Sequence, residues 1–183
     1  MQPIGPLMWE HRLIEQMVPL IRQEIGRIEA DHRADPVFIE RAVDFFRTYA
    51  DRTHHGKEED ILFEKLAGRD LTPELKAIMK ELVAEHLQAR KTVRSLLEIT
   101  TAYRNGDTDL VTAIVRRLKD LAELYPAHIE KEDKRFFFPV MDYFTKEEQD
   151  SMLRDFHEFD RRMIHEKYQG IMEDLGGRVV RWK

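Results

Sequence analysis

Six residues of this chain have the types and spacing of a metal site: His11, His54, Glu58, His86, His128 and Glu132. They form a repeated pattern. His11 precedes the pair His54-x-x-x-Glu58 by 43 positions, and His86 precedes the pair His128-x-x-x-Glu132 by 42. Residues four apart on a helix share one face, with Cβ atoms about 5–6 Å apart. A histidine and a glutamate so placed can reach one metal ion or two adjacent ones. The flanking residues match as well, His54-His55-Gly56-Lys57-Glu58-Glu59 against His128-Ile129-Glu130-Lys131-Glu132-Asp133. Two helical hairpins related by pseudo-twofold symmetry, each supplying half of one site, account for the echo.

Composition narrows the chemistry further. The 183 residues include eight histidines and no cysteine. Disulfides, thiolate zinc sites, cysteine-ligated iron–sulfur clusters and cysteine nucleophiles are therefore excluded. Any metal must be held by nitrogen and oxygen. A formal net charge of −5 argues against broad nucleic-acid binding. The apolar fraction of 42% is enough for a core. No window approaches about 18 uninterrupted apolar residues, so no membrane span is expected. The first ten residues lack a basic stretch followed by an apolar one, so no signal peptide is read and a cytoplasmic location is the default.

The elements that must position the six residues are helices. Glycines and prolines, eight and seven, cluster between long stretches of helical periodicity. The first helix is expected over about 6–30, on the stripe Leu7, Ile14, Val18, Ile21, Ile25 and Ile28, with a kink at Pro19. Asp35 caps a second helix over about 36–67, with Pro36 in its first turn. Thr72-Pro73-Glu74 opens a third, which Asn105-Gly106 ends. A fourth carries Ile114, Leu118, Leu121 and Leu124 and ends near Pro139. Thr145 and Glu148 form a capping box for a fifth, to about Leu175. No segment alternates with period two. The expectation is an all-α chain: an up-and-down antiparallel four-helix bundle with an additional C-terminal helix. One domain spans 1–183, the bundle over about 6–140 and the extra helix over about 145–175.

Phase then sorts the histidines. His11, His54, His86 and His128 continue the apolar stripes of their helices, as do Glu58 and Glu132. Burying a carboxylate costs several kcal/mol unless it is paired or binds a metal. Two inward glutamates beside four inward histidines are explained together by a metal pair. The alternative is a hydrogen-bonded polar core without metal. His55 and Glu59 share the same spacing, but their phase runs back through Asp51, Arg52 and Thr48. His54 and Glu58 are therefore preferred, and His55 is expected to be an outer or surface residue. Nitrogen and oxygen ligands suit iron or manganese, and zinc less distinctively. Four imidazoles and two bridging carboxylates give about eight donor atoms, where two six-coordinate ions need about twelve. An oxo or hydroxo bridge leaves roughly one open position per ion for a small ligand such as O2, NO, peroxide or azide.

The order His11, His54-x-x-x-Glu58, His86, His128-x-x-x-Glu132, with its flanking residues, resembles the hemerythrin-like (HHE cation-binding) family over roughly residues 7–140. The resemblance implies a four-helix bundle with a non-heme di-iron centre, manganese or zinc being possible substitutes. It implies His11, His54, His86 and His128 as terminal ligands and Glu58 and Glu132 as bridges. Oxygen-carrying members use a fifth histidine one turn from the third-helix ligand. Here the positions four after and four before His86 are Arg90 and Leu82. That departure weighs against simple oxygen carriage and points to the four-histidine branch, linked to nitrosative stress, iron–sulfur repair and iron sensing. Binding of O2, NO or a related ligand for sensing, storage or stress response is the favoured function. The alternative is an enzyme or repair factor. A protein partner or a homodimer is compatible with either.

Other residues receive plainer roles. Tyr125, one turn before His128, packs in preference to facing the metals. Pro126 distorts the helix beside His128. Glu85 is solvated, Trp9 and Tyr49 are core, and Phe136-Phe137-Phe138 close an end of the bundle. His32, His157 and His165 are bystanders.

Overall fold

The computed structural model describes residues 2–174. Five long helical runs make up the fold: α1 (Ile4–Asp31), α2 (36–67), α3 (Pro73–Arg104), α4 (111–141) and α5 (Lys146–Asp174). No strand occurs among the described residues, and no helix is long and apolar enough to cross a membrane. The first four helices pack as the expected bundle, and α5 lies along α2.

The boundaries have local causes. Asp35 Oδ1 accepts from the backbone N–H groups of Val37 and Phe38 and starts α2. Thr72 Oγ1 does the same for α3 through Leu75 N–H. Thr145 and Glu148 close their capping box in both directions, at 2.8 and 3.2 Å. Gly106, at φ 111°, turns the chain out of α3 in a conformation that favours glycine. His32 ends α1 in the left-handed region, exposed to solvent. The helix α1 runs through Pro19 without interruption.

Two helices depart from α geometry. In α2 the residues Phe46–His55 and Glu58–Phe63 are π-helical, and in α4 so are Glu132–Phe136. The N–H of Gly56 reaches back five residues to the carbonyl of Asp51. The wider turn changes which side chains share a face. It occurs where the site residues lie, as π segments often do.

The core is in two parts. One apolar cluster gathers Leu7, Leu62, Leu82, Phe136 and Phe137 with Met152 and Phe156 of α5. The other gathers Ile14, Phe46, Val93, Leu118 and Tyr125. A buried polar layer of histidines and carboxylates separates them. Phe136 and Phe137 belong to the core as expected, but Phe138 is exposed. Trp9, expected in the core, is 68% exposed on the outer face of α1. Two residues past Leu7, it sits about 200° around the helix from the stripe through Leu7 and Ile14, on the opposite face.

Candidate metal centre

All six residues singled out by spacing are buried and converge in this layer. Nε2 of His11 and Nε2 of His54 face each other at 2.8 Å, and Nε2 of His86 and Nε2 of His128 at 3.1 Å. The two carboxylates reach across both pairs. Glu58 lies 3.3 Å from Nε2 of His54 and 3.5 Å from Nε2 of His86. Glu132 lies 3.1 Å from Nε2 of His11 and 3.3 Å from Nε2 of His128.

A seventh residue joins them. His55 is buried, with its ring stacked 3.8 Å from that of His86. The structure thus corrects its expected placement as an outer or surface residue. His55, His86 and His128 form one group able to hold an ion, and His11, His54, Glu58 and Glu132 form another. The phase argument failed because it assumed 3.6 residues per turn through a π-helical stretch. There two consecutive histidines both point inward. The doubled His54-His55 was the available signal, but nothing in the spacing predicted the widened turn.

The outer nitrogens are engaged in a regular way. Nδ1 of His11 donates to Asp133 at 2.7 Å, that of His54 to Glu10 at 2.9 Å, that of His86 to Glu59 at 2.6 Å and that of His128 to Glu85 at 2.8 Å. Fixing the proton on Nδ1 leaves the Nε2 lone pair facing inward, as a metal-binding imidazole requires. Glu85, expected to be solvated, is half-buried and has this work to do. Nδ1 of His55 is 3.4 Å from Asp51 and has no hydrogen-bond partner among the described residues. Cations hold the four carboxylates in turn. Arg12 pairs with Asp133, Lys57 with Glu10, Arg90 with Glu59 at 2.8 Å and Lys131 with Glu85 at 2.5 Å.

Electrostatics reflect the crowding. Burial, reinforced by Glu132, pushes the Glu58 carboxyl well above its usual range. Burial also opposes charge on Glu132, yet the fields of His128, His11 and His86 bring it down to about 2. The two carboxylates are thus pushed in opposite directions. Burial and neighbouring cations push His54 and His55 well below the ordinary histidine value. His11 is the exception. Burial lowers it, but Asp133 and Glu132 raise it to about 9.

All four oxygens of Glu58 and Glu132 are buried without a hydrogen-bond partner. Orphaned carboxylate oxygens facing five inward imidazoles have the donor chemistry of a metal pair. A family model for the hemerythrin HHE cation binding domain matches residues 3–138. The chain belongs to that family. Its members bind metal ions, and the clustered residues fit that role. Curated relatives include proteins named as uncharacterized from Mycobacterium bovis and from two strains of Mycobacterium tuberculosis, each 20% identical over 170 residues. The alignment covers 92% of this chain but 66% of each relative. No solved structure matches the chain closely enough to count as a relative.

The remaining expectations divide. Tyr125 is buried and stacks on Phe46 at 4.7 Å, so it packs. Tyr49 is half-buried against Phe45. His157 is exposed, and the side chain of His165 lies outside the described residues. A cavity of about 340 Å³ between α2 and α3, lined by Asp51, Arg90 and Tyr125 among others, touches none of the clustered imidazoles.

Proposed function

We propose that this chain holds two iron ions and uses one of them to bind a small ligand such as O2, NO or peroxide. The observation that carries this reading is the set of four orphaned oxygens on Glu58 and Glu132, each carboxylate spanning two groups of imidazoles. His55, His86 and His128 would hold one ion and His11 and His54 the other, with Glu58 and Glu132 shared. Counting one oxygen of each carboxylate per ion, the first has about five protein donors and the second about four, where iron takes about six. The shortfall is larger at the His11/His54 ion, which is therefore the one with room for an exogenous ligand. Iron so held supplies reversible ligand binding or redox chemistry.

The chain's residues do the rest. Asp133, Glu10, Glu59 and Glu85 orient the rings and hold a proton on Nδ1, so that Nε2 is the nitrogen turned toward a bound ion. Phe137, stacked 5.5 Å from His11, and the apolar clusters on either side exclude water. His55 supplies a fifth imidazole, from α2 where the resemblance placed it on the third helix. The departure that weighed against carriage is thereby made good from another element, and binding for sensing, storage or delivery stands ahead of catalysis or iron donation.

Iron analysis of the loaded protein tests the reading first, with two ions per chain expected. Near-ultraviolet absorption should rise on loading and shift when azide is added. Stopped-flow mixing of the reduced protein with O2 separates the functions. A persistent, reversible spectral change supports carriage or sensing. Immediate oxidation with turnover on NO or peroxide supports the enzymatic alternative, and no change at all would sink small-ligand binding.

A further inference from the structure

The four cations behind the outer carboxylates are not alike. Arg12 is 53% exposed, Arg90 32%, Lys131 13% and Lys57 0%. A fully buried lysine needs its charge paired and its remaining N–H donors given polar partners. Lys57 has Glu10 and, at 2.7 Å, Asp160 of α5. Lys131, its counterpart in the second half, takes Glu81 of α3 at 2.6 Å. One half of the centre closes its outermost layer inside the bundle. The other closes it on the C-terminal helix, beyond the stretch that matches the family.

A second observation lies one residue away. A Cβ on Gly56 would stand 2.7 Å from Cζ of Phe159, the neighbour of Asp160. Glycine inside a helix is less stable than alanine by about 1 kcal/mol. The close approach of α5 accounts for it here. The equivalent position in the second half is Glu130, which is exposed.

We propose that α5 is a working part of the metal centre, in which Asp160 fixes Lys57, Lys57 fixes Glu10, and Glu10 orients His54. Phe159 seated on Gly56 sets the distance between α5 and α2 at that point. Lys57 and Asp160 are positioning residues, because neither touches the inner nitrogens. Their effect falls on the ion of His11 and His54, the one with room for a ligand. The other ion is steadied through Lys131 with Glu81 and Arg90 with Asp51, on α2, α3 and α4. Displacing α5 would therefore loosen one ion and leave its neighbour in place. This inference rests on the two-ion reading above.

The test is chelator-driven release of iron from the loaded full-length protein, followed as a time course. Wild type should give up two ions slowly. Asp160→Asn should release one ion per chain about 10- to 100-fold faster, the range for loss of an outer partner, with the second ion unchanged. Asp160→Glu should restore the slow phase. Gly56→Ala, which displaces α5 without altering charge, should reproduce the fast phase and serves if Asp160→Asn does not fold. Release of both ions at the wild-type rate from Asp160→Asn would overturn the proposal. So would equal acceleration of both ions with a lower melting temperature of the metal-free protein, which marks general loosening. Wild type that takes up fewer than two ions would instead overturn the two-ion reading, and this inference with it.

Discussion

The two halves of the bundle, α1 with α2 and α3 with α4, build the same layers from matching positions. Glu10 and His11 correspond to Glu85 and His86, His54 to His128, and Lys57-Glu58-Glu59 to Lys131-Glu132-Asp133. Within each half, the acidic residue before the lone histidine holds the ring of the next helix. Across the halves, the acidic residue after each inner glutamate holds the other lone histidine. Two differences between the halves bear on the centre. His55 stands where the second half has Ile129, and Lys57 is completed by α5 where Lys131 is completed by α3. On the proposed two-ion reading, a symmetric scaffold would make two unequal sites. One would be well supplied with nitrogen and steadied inside the bundle, and the other would have one protein donor fewer and be tied to an outside helix.

The largest effect should come from removing what the halves share. Glu58→Ala or Glu132→Ala should abolish two-ion binding in metal analysis. Glu58→Met, of similar volume, should stabilise the metal-free protein toward denaturant by about 1–3 kcal/mol, because it replaces a buried carboxyl group without a hydrogen-bond partner by an apolar one. Retained binding of two ions would remove Glu58 or Glu132 from its bridging role. Next come exchanges that make the halves equal. His55→Ile should weaken one ion by more than the roughly 100-fold expected for an outer partner, leaving the other bound. Ile129→His should give the His11/His54 ion a third imidazole and suppress the azide-induced spectral shift.

The acid–base behaviour of the metal-free protein is a smaller effect with a definite sign. His54, His55 and His86 have folded values pushed below 6.5 by burial. The unfolded chain binds more protons there, so their contribution is lost as pH falls below 6.5. His11 is raised to about 9, so its contribution is complete below 6.5 and lost as pH rises toward 9. Glu58, raised from 4.5, loses its contribution as pH rises above that value, which opposes the three histidines below pH 6.5 and adds to the fall from His11 above it. The melting temperature of the metal-free protein should therefore peak near pH 6.5 and fall on both sides. Metal binding, which displaces these protons, should abolish the alkaline fall. A flat profile between pH 5 and 9 would remove the buried imidazoles from the stability balance. The smallest effect is expected from Tyr125→Phe. Its ring packs on Phe46, so iron stoichiometry and the azide response should stay at wild-type values.

Much of this was legible in the chain. The five helices, their caps at Asp35, Thr72 and Thr145, and the six converging residues follow from apolar period and turn chemistry. Those signals are local, repeated and strong. The doubled motif also placed the two halves opposite each other before any contact was known.

The sequence by itself determined the donor chemistry, nitrogen and oxygen without sulfur, and the all-α scaffold that gathers it. Only the tertiary structure decided that His55 points inward, because a π-helical turn rotates side chains by an amount that spacing does not reveal. It also decided that Trp9 lies outside and that Glu85 holds His128. Above all it decided which half is anchored to α5. That assignment depends on a contact between Lys57 and Asp160, more than a hundred residues apart, and on the room that Gly56 leaves for Phe159. Local patterns specify helices and faces, whereas contacts between distant helices are set by how those faces pack.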